Sequence, residues 1–307
     1  MKRISKLIIV PALLLAATYV LAADNPYEQR IAASRLQKEA TLKSEHGILS
    51  FVGSYRLKEG DNRVGSTATD EIPLPAGSAP AQVGKFVVTN GHVTFTSFEA
   101  GTVTLDGSAV STVELTSADA HAPRKLAVGR LLLLYSGNEH EQTVFVSDPQ
   151  SPNRANFGGL DWYPVNPEWR IAGKFVAYPG NQSIVYENAL GGSNHADSPG
   201  YVIFTKNGHE YRLEVESGPH GLTALFSDET NRQTTFAGGR SLEIEKGDGD
   251  AVTLDFNQAV NKPCAVNPYT ACSLSPKQNH LSLQVTAGEK TTRIRVARVA
   301  AAPVRIQ

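Results

Sequence analysis

Residues 85–95 read KFVVTNGHVTF, and this stretch decides the fold. Two short runs rich in β-branched and aromatic residues flank the dipeptide Asn90-Gly91. Asn-Gly is a strong hairpin signal, because a two-residue turn needs a positive φ angle at both of its central positions. The stretch therefore predicts two antiparallel strands joined by a tight turn.

The same pattern recurs along the chain. Asn207-Gly208 separates two further apolar runs, and Asp106-Gly107 and residues 246–250 mark additional turns. Short strands at this spacing predict a mostly β protein, an antiparallel sandwich or barrel-like fold. Asp248 and Asp250 also suggest a calcium loop, but such a loop needs more oxygen ligands than this link offers, so a hairpin turn is favoured.

The first 22 residues resemble a secretory signal peptide. A basic start precedes an apolar run from Leu7 to Val20, and a small residue, Ala22, ends the segment. A retained membrane anchor is the alternative, although the apolar run is short for a span of roughly 20 residues. We expect cleavage, a periplasmic or secreted location, and no membrane attachment afterwards.

One helix is predicted, from Tyr27 to Lys43. Its apolar residues Ile31, Leu36 and Leu42 stand among charged ones, which is typical of a short amphipathic helix. We expect it to cap the first sheet.

Composition excludes one class of function. Removing the first 22 residues removes three of the 29 basic residues and none of the 30 acidic ones, which leaves a net charge of −4. A nucleic-acid binder carries a clustered basic face, so no nucleic-acid partner is expected. The locally basic residues 290–305 alternate with apolar ones and predict a strand with one solvated face. Oligomeric state is left open.

Residues 148–170 interrupt the β pattern, because they are rich in Pro, Gly, Asn and Asp. They predict a joint between two β-rich halves, 23–147 and 148–307, with one continuous domain as the alternative. Gly129-Arg130, Asp148 and Arg154 faintly resemble a phosphothreonine-binding forkhead-associated domain. The compact Ser-x-x-His step of such domains is missing, so this interpretation is not favoured.

Familiar catalytic motifs are missing as well. The chain has no Gly-x-Ser-x-Gly, Ser-x-x-Lys, His-Glu-x-x-His or Gly-x-x-x-x-Gly-Lys, and none of its eight histidines are spaced for a metal on a helix. We therefore expect no metal and no cofactor. The two cysteines, Cys264 and Cys272, predict a disulfide in an exported protein, rather than free thiols or a metal pair.

Residues 254–290 carry most of the functional information. They contain Leu254-Asp255-Phe256-Asn257, Pro263-Cys264, Cys272 and Gly288-Glu289-Lys290. This series resembles the signature of the domain of unknown function 1684 family of bacterial proteins, and the resemblance covers most of the mature chain and is strongest from Asp148 to Lys290. The family implies where to look, but no reaction.

The resemblance also marks candidate site residues. They occupy polar positions of the family pattern and comprise Arg154, Asp228, Arg240, Asp255, Asn257, Asn279 and Glu289. Asp255 and Asn257 are two apart in an expected strand, so both would point to one face. These residues either line a groove or form a buried hydrogen-bond network that fixes the cysteine loop to the sheet.

Three functions follow from these alternatives. The first is binding of a small polar or sugar-like ligand in a groove of the C-terminal half. The second is hydrolysis by a carboxylate pair, for which Asp255 and Glu289 are the catalytic candidates. The third is a purely structural role in the cell envelope.

Overall fold

Strands dominate the described part of the chain. A computed structural model describes residues 25–115, 124–137, 142–187, 193–218, 221–270 and 272–291. The predicted signal peptide and residues 292–305 of the predicted C-terminal strand lie outside these ranges. Within them, the prediction of a mostly antiparallel β protein with one short N-terminal helix is confirmed.

The N-terminal half is a sandwich of two sheets. The first has the order β1-β11-β10-β9-β6-β7 and the second β3-β2-β4-β5-β8. Apolar side chains from both sheets form one buried core between them. The strands are β1 (Phe51–Arg56), β2 (Gly60–Gly65), β3 (Ile72–Pro73), β4 (Gly84–Thr89), β5 (His92–Ser97), β6 (Thr104–Leu105), β7 (Ser108–Ala109), β8 (Thr112–Glu114), β9 (Arg124–Val128), β10 (Leu131–Gly137) and β11 (Gln142–Ser147).

The hairpin predicted from residues 85–95 is the pair β4 and β5. Asn90 and Gly91 have φ angles of 50° and 81°, as this turn requires. Phe86 and Phe95 face each other across the two strands with ring centroids 5.0 Å apart, and both are fully buried. This cross-strand aromatic pair fixes the register, because a slip of one residue would expose both rings.

The C-terminal half is a closed barrel. Each of its strands β12 to β17 pairs with the next in sequence, and β12 pairs with β17, which closes a six-stranded antiparallel ring around a second apolar core. Two short strands extend the ring at its edges. The strands are β12 (Arg170–Glu187), β13 (Ser193–Lys206), β14 (His209–Gly218), β15 (Gly221–Asp228), β16 (Arg240–Lys246), β17 (Ala251–Asp255), β18 (Val260–Asn261) and β19 (His280–Leu281).

The remaining predicted turns are also hairpins. Asp106-Gly107 and Asn207-Gly208 have positive φ angles at both positions and join β6 to β7 and β13 to β14. Residues 246–250 turn between β16 and β17. The interpretation of the Asp248 and Asp250 segment as a hairpin turn is therefore confirmed.

The N-terminal helix, α1, runs from Pro26 to Lys43. Asn25 caps it by accepting a hydrogen bond from the Tyr27 amide, and Pro26 starts the helix with a φ angle already suited to it. Ile31 and Leu42 are buried as expected, but Leu36 is 68% exposed. The helix contacts Asp255, Tyr163 and Glu289 of the C-terminal half, and its Leu42 also packs with Leu49 just before β1. Its predicted position as a cap on the first sheet is therefore wrong.

The joint between the halves has little regular structure. It contains a short helix, α2 (Pro152–Ala155), and a 3-10 turn, Pro167–Trp169. Beyond the barrel strands, further 3-10 turns span Phe256–Gln258, Pro263–Ala265 and Lys277–Asn279, and one more precedes β1 at Ile48–Ser50. These turns place the polar residues described next.

Candidate functional site

One face of α1 lies along the C-terminal half. Tyr27, Ile31, Arg35, Lys38 and Leu42 recur at intervals of three or four residues, so they share this face. The Ile31 and Leu42 side chains are buried. The polar ends of Tyr27, Arg35 and Lys38 contact segments that lie more than a hundred positions later in the chain. The helix therefore supplies both apolar and polar groups to the site.

Asp255 is the centre of the first polar group. Its carboxylate accepts hydrogen bonds from the Tyr27 hydroxyl at 2.8 Å, from the Gln258 side chain at 3.0 Å and from the Asn257 backbone amide at 3.2 Å. The Asn257 side chain in turn donates to the Tyr27 hydroxyl and to the Asn166 carbonyl. Burial, followed by the neighbouring Asp255 carboxylate, raises the pKa of the Tyr27 hydroxyl well above its ordinary value.

The expected strand geometry around Asp255 is wrong. β17 ends at Asp255, and Phe256–Gln258 form a 3-10 turn that Asp255 caps through the Asn257 amide. Asp255 and Asn257 are both almost fully buried, and so are their neighbours Leu254 and Phe256. A capping aspartate satisfies amides that the end of the strand would leave unpaired. The two polar residues thus meet through the turn and not through a shared strand face.

Glu289 is the centre of the second polar group. Its carboxylate accepts from the backbone and side-chain amides of Asn261, each at 2.9 Å, and lies 3.3 Å from the Lys38 ammonium. Glu289 is 1% exposed. Burial raises the pKa of this carboxyl, while Lys38 and Asn261 counteract the rise in part.

Gly288 makes the close approach of Glu289 possible. It has a φ angle of 77°, and a Cβ atom there would lie 2.6 Å from the carbonyl oxygen of Ala259. Any other residue would both strain the backbone and push Ala259 away. Gly288 is thus a structural requirement of this turn.

Arg240 and Asp228 form a buried ion pair. The Arg240 guanidinium lies 2.7 Å from the Asp228 carboxylate, and neither side chain is accessible to solvent. Arg240 also donates to the carbonyls of Val285 and Ala287. Asp228 additionally accepts from the amide and hydroxyl of Thr230. The pair therefore fixes the segment before Glu289 against the barrel.

Asn279 and Arg154 lie elsewhere. The buried Asn279 side chain donates to the carbonyls of Glu214 and Leu225 and so joins two barrel strands. Arg154 donates to the carbonyls of Lys43 and Pro149, near the end of α1. Neither side chain contacts the groups around Asp255 or Glu289 in the described hydrogen bonds.

A disulfide joins Cys264 and Cys272, as predicted. It closes the loop that follows β18, and Val266 inside that loop packs with Leu42 of α1. The loop thereby forms one wall beside the helix.

A pocket opens between α1 and the C-terminal segment. It has a volume of about 280 Å³ counted to its open mouth. Lys38, Asn261 and Glu289 provide polar groups, and Leu42 and Val266 provide apolar ones. Asp255 does not line it, so the structure does not place the Asp255 and Glu289 carboxylates in one pocket.

The Asn261 side chain has an unusual environment. It is 5% exposed, and its Nδ2 donates to Glu289 and to the Lys290 carbonyl, each at 2.9 Å. These two bonds fix the amide orientation. Its Oδ1 atom is buried and has no hydrogen-bond partner among the residues that the structure describes. A buried oxygen left unpaired costs about 1–3 kcal/mol.

The described ranges contain no cluster of three or more His, Cys, Asp or Glu that could hold a metal ion. Of the described helices, none has the length and apolar run needed to cross a membrane.

Sequence reasoning did not find Tyr27, Arg35, Lys38, Trp162 or Asn261. The helical spacing of Tyr27, Arg35 and Lys38 with Ile31 was a usable signal, because polar residues on the apolar stripe of a helix have to find partners. Asn261 lies four residues after Asn257, within the series that resembles the family signature, and carries no local signal of its own.

The family model for a protein of unknown function, DUF1684, matches residues 155–290. The resemblance to the DUF1684 family is therefore confirmed over these residues. The DUF1684 region holds the barrel, the disulfide and Glu289, but α1 lies outside it. The polar groups of the site therefore combine residues from inside and outside the family region.

Two solved structures resemble parts of the chain. A solution NMR structure of an uncharacterized protein from Haloarcula marismortui is 28% identical, covers 47% of this chain and 83% of its own, and has a TM-score of 0.39. A forkhead-associated domain of a Mycobacterium tuberculosis ABC transporter is 19% identical, covers 28% and 74% respectively, and has a TM-score of 0.23. TM-scores this low support no inference about the chain. No curated protein matches it.

Proposed function

We propose that the protein binds a small, hydroxyl-bearing polar ligand in the pocket lined by Lys38, Asn261 and Glu289. The unpaired Oδ1 of Asn261 is the observation that carries the proposal. A hydroxyl group both donates and accepts, so one ligand can satisfy the acceptors Asn261 and Glu289 and the donor Lys38.

The size of the pocket sets the size of the ligand. The walls enclose about 60 Å³, and the larger volume of about 280 Å³ includes solvent at the mouth, so the pocket is well below the about 300 Å³ at which ligand pockets usually begin. The apolar wall of Leu42 and Val266 suits the carbon face of a polyol or sugar, while the polar groups suit its hydroxyls. The pocket therefore suits one edge of a small polyol or sugar, with the rest of the ligand in solvent.

The same arrangement supports binding over hydrolysis. A hydrolase with two carboxylates needs both beside the reacting bond. Glu289 lines the pocket and Asp255 does not. Asp255 instead holds Tyr27 and Asn257, which is a structural task.

Titration calorimetry with glycerol, myo-inositol, D-galactose and D-glucose tests the proposal. We expect saturable binding of at least one of them, weakened by Lys38→Met and unchanged by Lys43→Met, a matched lysine in the last turn of the same helix that does not line the pocket. No binding of any of the four, or equal binding by the two variants, would refute it.

We also propose that the protein acts outside the cytoplasm after loss of residues 1–22. The disulfide between Cys264 and Cys272 supports this, because such bonds persist in oxidising compartments. Mass spectrometry of exported protein should give a chain that starts at Ala23 or Asp24. An intact Met1 in a membrane fraction would refute cleavage.

A further inference from the structure

A second pocket lies on the other side of Lys38. It encloses about 20 Å³, or about 220 Å³ counted to its open mouth, and is lined by Arg35, Lys38, Trp162 and Asn257, together with apolar and neutral side chains. Of the described residues that line it, Arg35 and Lys38 are the charged ones. Lys38 lines both pockets, so a ligand in the first pocket lies next to the second.

Two residues that line this second pocket each carry an unpaired N–H group. The Arg35 guanidinium stacks on the Trp162 ring at 4.7 Å and donates to the carbonyls of Tyr163 and Asn257. Its Nε atom and the Nε1 atom of Trp162 are buried with no partner in the described ranges. Both atoms are donors only, so they need an acceptor.

The charges around the second pocket indicate which kind of acceptor the Arg35 and Trp162 N–H groups would bind. Lys38 is paired with Glu289, whereas Arg35 contacts main-chain carbonyls and no carboxylate within the described part of the chain. Burial lowers the pKa of the Arg35 guanidinium, while Tyr27 and the Asp255 carboxylate counteract the fall in part. A cation that is buried without an ion-pair partner favours a negatively charged group on the ligand.

The two pockets thus differ in chemistry. The first holds the acceptors Asn261 and Glu289 beside the ammonium groups of Lys38 and Lys262, and the second holds the unpaired donors of Arg35 and Trp162. We propose that the ligand is a hydroxylated carboxylate, with its hydroxyl groups beside Asn261 and Glu289 and its carboxylate beside Arg35 and Trp162. This inference rests on the proposed function and specifies the ligand class of the same site.

A matched pair of probes separates the two proposals. D-Glucuronate differs from D-glucose by a carboxylate in place of a hydroxymethyl group. We expect the dissociation constant of D-glucuronate, measured by titration calorimetry at constant ionic strength, to be lower by about tenfold or more. Equal dissociation constants for the two sugars would refute the inference that the ligand carries a carboxylate, and would leave the proposed function standing. Binding of neither sugar would overturn the carboxylate and count against the proposed function as well.

Trp162→Phe locates the carboxylate. Phenylalanine keeps a ring under Arg35 and removes the unpaired Nε1–H, so the fold loses no described hydrogen bond. We expect the D-glucuronate constant to rise about fivefold or more relative to the D-glucose constant. Trp169→Phe, at a buried tryptophan outside both pockets, should leave both constants unchanged.

Arg35→Lys is the second variant and keeps the charge without the Nε–H. We expect it to reduce the preference for D-glucuronate as well, with circular dichroism showing a folded chain. A preference that persists in both folded variants would place the carboxylate elsewhere and overturn the inference.

Discussion

The hydroxyl of Tyr27 donates to the carboxylate of Asp255 over 2.8 Å and joins residues 228 positions apart in the chain. Tyr27 lies in the first turn of α1 and Asp255 at the end of β17. The helix thereby satisfies a buried carboxylate of the DUF1684 region, which its own strands leave short of partners. We infer that α1 is part of the folded unit of that region.

The first prediction concerns this bond. Tyr27→Phe should lower the free energy of unfolding by about 1–3 kcal/mol, because Asp255 and Asn257 each lose a buried partner. Asp255→Ala should cost a similar amount. In the double variant the costs should not add, with a coupling of about 0.5–3 kcal/mol. Urea unfolding measures all three.

Tyr211→Phe is the matched control, because the Tyr211 ring packs on Phe204 outside this network. It should change the unfolding free energy by less than about 0.5 kcal/mol. Additive costs for Tyr27 and Asp255 would show that the two residues act separately.

The second prediction concerns the ion pair of Arg240 and Asp228. Arg240→Ala leaves a carboxylate buried without its counter-charge and should cost about 3–5 kcal/mol. The exposed pair of Arg170 and Glu245 provides the comparison, and Arg170→Ala should cost about 0–1 kcal/mol. Similar thermal shifts for the two variants would contradict the buried pair's structural role.

The third prediction concerns the disulfide. Native protein should not react with a thiol-blocking reagent before reduction, because Cys264 and Cys272 are joined. The variant with both cysteines replaced by alanine should lose about 2–3 kcal/mol of stability in the chain-entropy model. Full labelling of unreduced, natively folded protein would exclude the bond.

Much of the fold could be predicted because its signals are local. The turns at Asn90-Gly91 and Asn207-Gly208 need only two residues in a left-handed conformation, and the flanking strands follow from them. The closure of the barrel by β12 and β17 has no such signal, since it depends on the pairing of strands about 80 residues apart in the chain.

The site was harder to predict because burial decides its chemistry. An aspartate such as Asp255 looks the same in sequence whether it faces solvent or a buried tyrosine 228 positions earlier. The 3-10 turn after β17 changed the direction of Asn257, and the apolar pattern of the segment gave no sign of that turn. Leu36 was likewise expected on the apolar face of α1 but is exposed. A single exposed leucine is ordinary, so the sequence does not distinguish it from a buried one.

The last prediction concerns pH and the pair of Lys38 and Glu289. Burial raises the pKa of Glu289 above its ordinary value of 4.5, so the folded chain holds this proton more tightly than the unfolded chain. The carboxyl therefore reduces stability as pH rises from the unfolded pKa through the folded one. Lys38 limits this loss, because its charge favours the ionised carboxylate.

Lys38→Met removes that charge and should raise the pKa of Glu289 further. At about pH 4, where the carboxyl is largely protonated in both states, the variant should unfold close to the wild-type temperature. At about pH 8 the variant should unfold at a clearly lower temperature than the wild type, since the ionised Glu289 carboxylate then lacks its partner. Lys43→Met should change the unfolding temperature by an amount that does not depend on pH, because Lys43 contacts no buried acid in the described ion pairs. Differential scanning calorimetry at both pH values checks this, and a Lys38→Met deficit of the same size at each would mean that Lys38 does not stabilise the ionised form of Glu289.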